Sequence, residues 1–195
     1  MQVGITIYFI RHGQTEWNRT RRIQGQIDTY LNHTGRQQAT RNGAVLKSMR
    51  SQVADMDFFA SPLTRCRETM EIVRDTLGLP TKEYETDDRL KEIHFGTWQG
   101  QYWTDIVNHD PEGCMERQAN PYHWRPEGGE SYADLSERAG QWLFERRQDA
   151  VVVSHGGVSR VLRGSVLDID PTEVTELSVP QNKVLILRNG EMSWS

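Results

Sequence analysis

Ile5-Thr6-Ile7-Tyr8-Phe9-Ile10, followed at once by Arg11-His12-Gly13, is the stretch that decides the fold. It is short, β-branched and aromatic, with no polar residue on alternate positions, and so reads as a strand buried on both faces. Ala150-Val151-Val152-Val153 is its counterpart and breaks just as sharply, at Ser154-His155-Gly156-Gly157. Two buried strands that each end on histidine and glycine point to a parallel sheet with its chemistry at one edge.

Working outward, Asp57-Phe58-Phe59-Ala60 reads as another strand and Lys82–Thr86 as a weaker one. Lys183–Arg188 and Met192–Trp194, joined by Asn189-Gly190, read as a C-terminal hairpin. Helices are expected between them. One is capped by Thr34 and carries Ala39, Leu46 and Met49. A second starts with Ser61 as N-cap and Pro62 at the first helical position, and runs through Cys66, Met70 and Val73 to Gly78. A third opens on a Ser131/Asp134 capping box and carries Tyr132, Leu135, Ala139, Trp142 and Leu143. A fourth opens at Gly156-Gly157. The alternation predicts an α/β three-layer sandwich, a mostly parallel sheet with helices on both faces. The expected organisation is one domain over 1–195, with an irregular insertion at about 98–130 rich in Trp, Tyr, His, Pro and Gly.

Composition bounds the function. At 195 residues the chain has room for one ordinary core. The net charge of −4 argues against a general nucleic-acid binder, which needs a basic excess. A mean hydropathy of −0.70 and apolar runs far below the ~20 residues that cross a bilayer argue against a membrane protein. Met1–Gly4 carries no basic region and Arg11 interrupts the first apolar run, so no signal peptide is read. Two cysteines, Cys66 and Cys114, suit a reducing cytoplasm.

In open α/β sheets ligands bind beyond the carboxyl ends of the strands. There the first strand delivers Arg11 and His12, the second delivers Arg65 in the first turn of a helix, and the Val151–Val153 strand delivers His155 with Gly156-Gly157. Arginines and helix N-termini bind oxyanions, and a phosphate dianion fits such a pocket best. Gly13, Gly156 and Gly157 allow the backbone close to the ligand. A histidine inside a ring of cations serves better as a neutral nucleophile than as one more positive charge. A leaving alcohol then needs a proton donor, and Glu92, just before the bend at Gly96, offers a carboxyl group.

Arg11-His12-Gly13-Gln14-Thr15-Glu16-Trp17-Asn18, Ser61-Pro62-Leu63 with Arg65, Glu92 with Phe95-Gly96, Gly128-Gly129-Glu130-Ser131 and Ser154-His155-Gly156-Gly157 follow one another in order. In this the chain resembles the histidine phosphatase superfamily, also called phosphoglycerate mutase-like, from about residue 5 to residue 188. The resemblance implies that His12 becomes phosphohistidine and that Arg11, Arg65 and His155 bind the phosphoryl group together with Asn18 and the backbone at Gly156. It also implies that Glu92 is the proton donor. No metal or organic cofactor is expected for hydrolysis, and the expected partner is a small phosphate monoester.

Other phosphatase chemistries fail on spacing. A cysteine phosphatase needs arginine six residues after its cysteine, where Cys66 is followed by Ile72 and Cys114 by Asn120. Asp55-Met56-Asp57 precedes its strand, where an aspartyl nucleophile must follow one. No Gly-Lys-Ser or Gly-Lys-Thr loop is present. Mutase-type phosphoryl transfer is the alternative within the same residues, although Gln14-Thr15 and the short insertion favour hydrolysis. A non-catalytic phosphate-binding module is the alternative outside enzymes. Arg19, Arg21 and Arg22 read either as a steering loop for an acidic substrate or as a solvated basic surface.

Overall fold

The computed structural model describes residues 4–49 and 55–195. Strand β1 (Thr6–Arg11) leads to a one-turn helix α1 (Glu16–Arg19), helix α2 (His33–Met49), strand β2 (Asp57–Ala60) and helix α3 (Thr64–Leu77). A two-residue strand β3 (Glu85–Thr86) precedes two 3-10 turns and helices α4 (Trp103–His109), α5 (Pro111–Ala119) and α6 (Tyr132–Phe144). Strand β4 (Ala150–Ser154), helices α7 (Gly156–Leu167) and α8 (Pro171–Val174), and strands β5 (Val184–Arg188) and β6 (Glu191–Trp194) complete the chain. The strands form one sheet in the order β3-β2-β4-β1-β5-β6. Its first three pairings are parallel and the last two antiparallel. The architecture is the expected α/β one.

Side-chain alternation along the central strands builds two cores. Ile7 and Phe9 of β1 and Ala150 and Val152 of β4 pack with Leu135, Trp142 and Leu143 of α6 and with Val158, Val161 and Leu162 of α7. Tyr8, Ile10, Val151 and Val153 point the other way, onto Leu46 of α2 and Cys66, Met70 and Val73 of α3. Period-two alternation therefore exists, but both sets are apolar because helices cover both faces. The hairpin closes as expected, with Arg188 opposite Glu191. Asn189 (φ 50°) and Gly190 (φ 80°) are both left-handed, as its two-residue turn requires.

Four local expectations are corrected. Helix α2 starts at His33, so Thr34 lies inside it, and the capping oxygen comes from Asn32, whose Oδ1 accepts from Gly35 N–H at 2.9 Å. Helix α3 starts at Thr64 after Leu63, which offers no side-chain cap. Ser61 and Pro62 thus lie before the helix, and the Ser61 hydroxyl is turned to His155 at 2.8 Å. The Lys82–Thr86 strand shrinks to two residues. The insertion contains two helices: Asp110 caps α5 by accepting from Gly113 N–H, with Pro111 in the first turn.

Trp142 is fully buried, meets Phe59 edge-to-face at 5.5 Å, and has an indole N–H without a partner among the described residues. Replacing it by Ala should cost about 3–5 kcal/mol by opening a cavity. Trp142→Phe should cost less, since it removes the orphaned donor along with the lost ring. Urea unfolding midpoints at unchanged slope check the order wild type, Phe, Ala.

Candidate active site

Parallel pairing of β1 with β4 sets Arg11 opposite Ser154, and His12 N–H donates to Ser154 O at 2.9 Å. The next residue of each strand end is a histidine, and the rings of His12 and His155 lie 5.2 Å apart. Beside them is a cleft of about 200 Å³ whose walls include Arg11, His12, Asn18, Arg65, Glu92 and Gly156. Six of the seven sequence-selected residues thus share one cavity. His155 is fully buried behind it, with Nε2 2.8 Å from Ser61 Oγ and 3.4 Å from Cys66 Sγ.

His12 is 2% exposed and its Nδ1 lies 2.8 Å from Gly13 O. A carbonyl can only accept, so Nδ1 carries the proton and the lone pair sits on Nε2. Burial, then the charges of Arg65 and Arg11, hold its pKa well below the ordinary value of 6.5. Burial, then Arg65, His12, Arg11 and Arg138 in that order, hold His155 well below it too. Both rings are neutral at neutral pH, among cations that make protonation costly.

The two arginines are held by backbone carbonyls rather than by acids. Arg65 donates Nη1 to Ile27 O (2.9 Å) and Nη2 to Gly25 O (2.7 Å), and Arg11 donates Nη1 to Val179 O (2.7 Å). Each keeps a buried Nε–H with no partner among the described residues. Burial lowers the pKa of both guanidinium groups from the ordinary arginine value. Asn18 has two roles in one side chain. Its Oδ1 accepts from Thr15 N–H (3.1 Å) in the α1 capping box and from Gln181 Nε2 (3.2 Å). That turns Oδ1 to the protein, and the amide as a whole borders the cleft.

Glu92 stands at the N-terminus of α7. Its Oε1 accepts from Gly157 N–H and Ile93 N–H, both at 3.0 Å. A Cβ on Gly157 would fall 2.4 Å from that oxygen, so only glycine lets the carboxylate dock there.

Sequence reasoning missed Arg160 and Tyr132, which also border the cleft and are joined by an Arg160 Nη1 bond to the Tyr132 hydroxyl at 3.1 Å. Arg160 was findable, because it lies four residues after Gly156 on the same helix face. Arg22 lines the cleft too, its guanidinium 4.0 Å above the Trp17 ring, which places it at the site rather than on a solvated loop. The cleft therefore carries four arginines against one carboxylate. A larger cavity, about 480 Å³, lies in the insertion among Trp98, Trp124, Asp110, Glu112, Glu116 and Glu127. Its acidic wall repels phosphate, and none of the strand-end residues reaches it.

Comparison with known proteins gives the family. The model of the histidine phosphatase superfamily (branch 1) matches residues 7–195. A metal-independent phosphoserine phosphatase of Arabidopsis thaliana is 33% identical over 80% of this chain and 66% of its own length. A glucosyl-3-phosphoglycerate phosphatase of Mycolicibacterium vanbaalenii is 31% identical over 84% of this chain and 74% of its own. The solved structure of mycobacterial glucosyl-3-phosphoglycerate phosphatase with VO3 superposes with a TM-score of 0.79 at 25% identity, covering 98% of both chains. With a family model matched over nearly the whole chain and the fold in common, this chain belongs to the histidine phosphatase superfamily and is a phosphatase enzyme.

Proposed function

We propose that the chain hydrolyses small phosphate monoesters in two steps through a phosphohistidine on His12, with Glu92 as proton donor. The observation that carries this reading is a neutral, tautomer-fixed histidine beside two buried arginines whose Nε–H groups have no partner among the described residues. A buried unpaired donor costs about 1–3 kcal/mol, and a phosphoryl group beside His12 brings acceptors to two guanidinium groups that no acid pairs.

In the first step the Nε2 lone pair of His12 attacks phosphorus and the bond to the ester oxygen breaks. Glu92 gives its proton to the departing alkoxide. In the second step water attacks the phosphohistidine, Glu92 takes the proton from it, and phosphate leaves with His12 neutral again. Arg11, Arg65 and the donors of Asn18 and the α7 N-terminus neutralise the charge that builds on the phosphoryl oxygens. His155, buried against Ser61, fits a supporting role beside His12. Small phosphorylated metabolites of the kind named for the relatives, phosphoserine and glucosyl-3-phosphoglycerate, set the range of substrates. Two unbridged cysteines suit a cytoplasmic enzyme.

Three outcomes test this reading. Rapid quench with substrate should leave an acid-labile, base-stable phosphate on the His12 peptide, and His12→Ala should abolish both label and turnover. A turnover retained in His12→Ala removes the nucleophile.

Glu92→Gln should lose about 10²–10⁴-fold in rate on an alkyl phosphate, where the leaving group needs a proton. On p-nitrophenyl phosphate, whose leaving group is stable as an anion, the loss should be much smaller.

The third outcome concerns stability. A histidine buried neutral has its folded pKa below the unfolded value, so the unfolded chain binds more protons as pH falls below about 6.5. Stability is then complete above that pH and is lost on the way down, by about 1.4 kcal/mol per pH unit for each such histidine. His12→Gln should flatten the slope of unfolding free energy against pH between about 6.5 and 5. An unchanged slope would show that His12 is not held neutral.

A further inference from the structure

Glu92 sits in a segment with no regular structure, between the 3-10 turn Asp88–Leu90 and the one at Gly96–Trp98. No sheet ladder or helix fixes its backbone, yet a proton donor must stand within a fraction of an ångström of its target. The four consecutive carbonyls from Arg89 to Glu92 are taken up by side chains from elsewhere. Arg138 of α6 donates Nη1 to Arg89 O (2.8 Å) and Lys91 O (2.7 Å), and Nη2 to Glu92 O (3.0 Å). Ser154 Oγ donates to Leu90 O (2.7 Å), and Gln26 Nε2 adds a second bond to Glu92 O (3.0 Å).

The remaining donors of Arg138 go to Glu130. Its Nε reaches Glu130 Oε1 at 2.9 Å and its Nη2 reaches Oε2 at 2.8 Å. Glu130 Oε2 in turn accepts from His94 N–H at 2.8 Å. A guanidinium has five N–H groups, and these contacts number five. Arg138 has no donor left for a substrate, and it does not border the cleft. Its whole hydrogen-bonding capacity is spent on the backbone around Glu92 and on the carboxylate that pins His94. Lysine, with three donors radiating from one point, cannot reproduce this fork.

We infer that Arg138 and Glu130 are positioning residues for the proton donor: a two-residue clamp that substitutes for secondary structure and sets the height of the Glu92 carboxyl over the α7 N-terminus. The assignment rests on the reading of Glu92 as general acid. It predicts that loosening the clamp damages the leaving-group half of the reaction and spares the phosphoryl half.

The experiment measures kcat for an alkyl phosphate and for p-nitrophenyl phosphate in Glu92→Gln, Arg138→Met, Arg138→Lys, Glu130→Gln and the double variant Arg138→Met/Glu92→Gln. Arg138→Met should lose about tenfold or more on the alkyl ester and less than about threefold on the nitrophenyl ester. In the Glu92→Gln background it should cost nothing further, since the group it positions is already gone. Vanadate affinity should hold, because the phosphoryl pocket is untouched. Where Arg138→Met does not fold, Arg138→Lys and Glu130→Gln carry the test with the same selectivity at smaller amplitude. Equal loss on both esters, no loss on either, or a full additional loss in the double variant overturns the clamp. Equal loss on both esters in Glu92→Gln itself overturns the proton-donor reading instead, and the clamp with it.

Discussion

The register of β1 against β4 is the constraint on which the rest of the site depends. Because Arg11 faces Ser154 in a parallel ladder, both strands end at one level and each delivers its histidine there. A slip of one residue would turn every side chain of a strand to the opposite face and separate the two rings. The register is protected by burial on both sides. Ile7 and Phe9 fill one core and Tyr8 and Ile10 the other, so no shift leaves either half-packed. The chemistry at the edge is thus fixed by apolar residues that never meet substrate.

At that edge the electrostatics are arranged against the protein's own interest. Two arginines are desolvated, each with a buried Nε–H unpartnered among the described residues, and the histidines beside them are kept from protonating by the same charges. Each feature is unfavourable alone. Together they describe a site preorganised for a dianion, in which the cost is paid during folding and recovered when phosphoryl oxygens arrive. Neutrality of His12 follows from the same arrangement and needs no separate device: the buried cations beside it keep the ring's lone pair free.

What could be read from the sequence follows from this. The central strands were legible because burial on both faces leaves an uninterrupted apolar run, and the residue after such a run is at the sheet edge by construction. Arg11, His12, Arg65 and His155 were therefore placed by position, and the Asn189-Gly190 turn by its backbone demand. Glu92 had no such signal, with several acidic neighbours in its segment, and only the family resemblance selected it. Ser61 read as a helix cap because Ser-Pro has that local preference; tertiary contact with His155 overrode it. The helices of the insertion were hidden under its aromatic, proline and glycine content, although Asp110-Pro111 carried a start signal that composition outweighed. Arg138 was invisible, since nothing in a helical arginine announces that all its donors turn inward.

The two halves of the reaction are held by different means, and this shapes what can change. The groups proposed for the phosphoryl half hang on the sheet, whereas Glu92, the proposed proton donor, hangs on a loop tied to α6. The same loop closes the base of the insertion. Glu130 N–H donates to His94 O at 2.8 Å and Thr97 N–H to Glu127 O at 3.0 Å, and a Cβ on Gly96 would fall 1.9 Å from Glu127 O. The insertion leaves and re-enters at one pinned point, so its helices can differ in length or surface without moving Glu92. None of residues 98–130 lines the cleft, so its outer wall is left to Arg22, Tyr132 and Arg160, while the strand-end groups and the loop that carries the carboxyl keep their places.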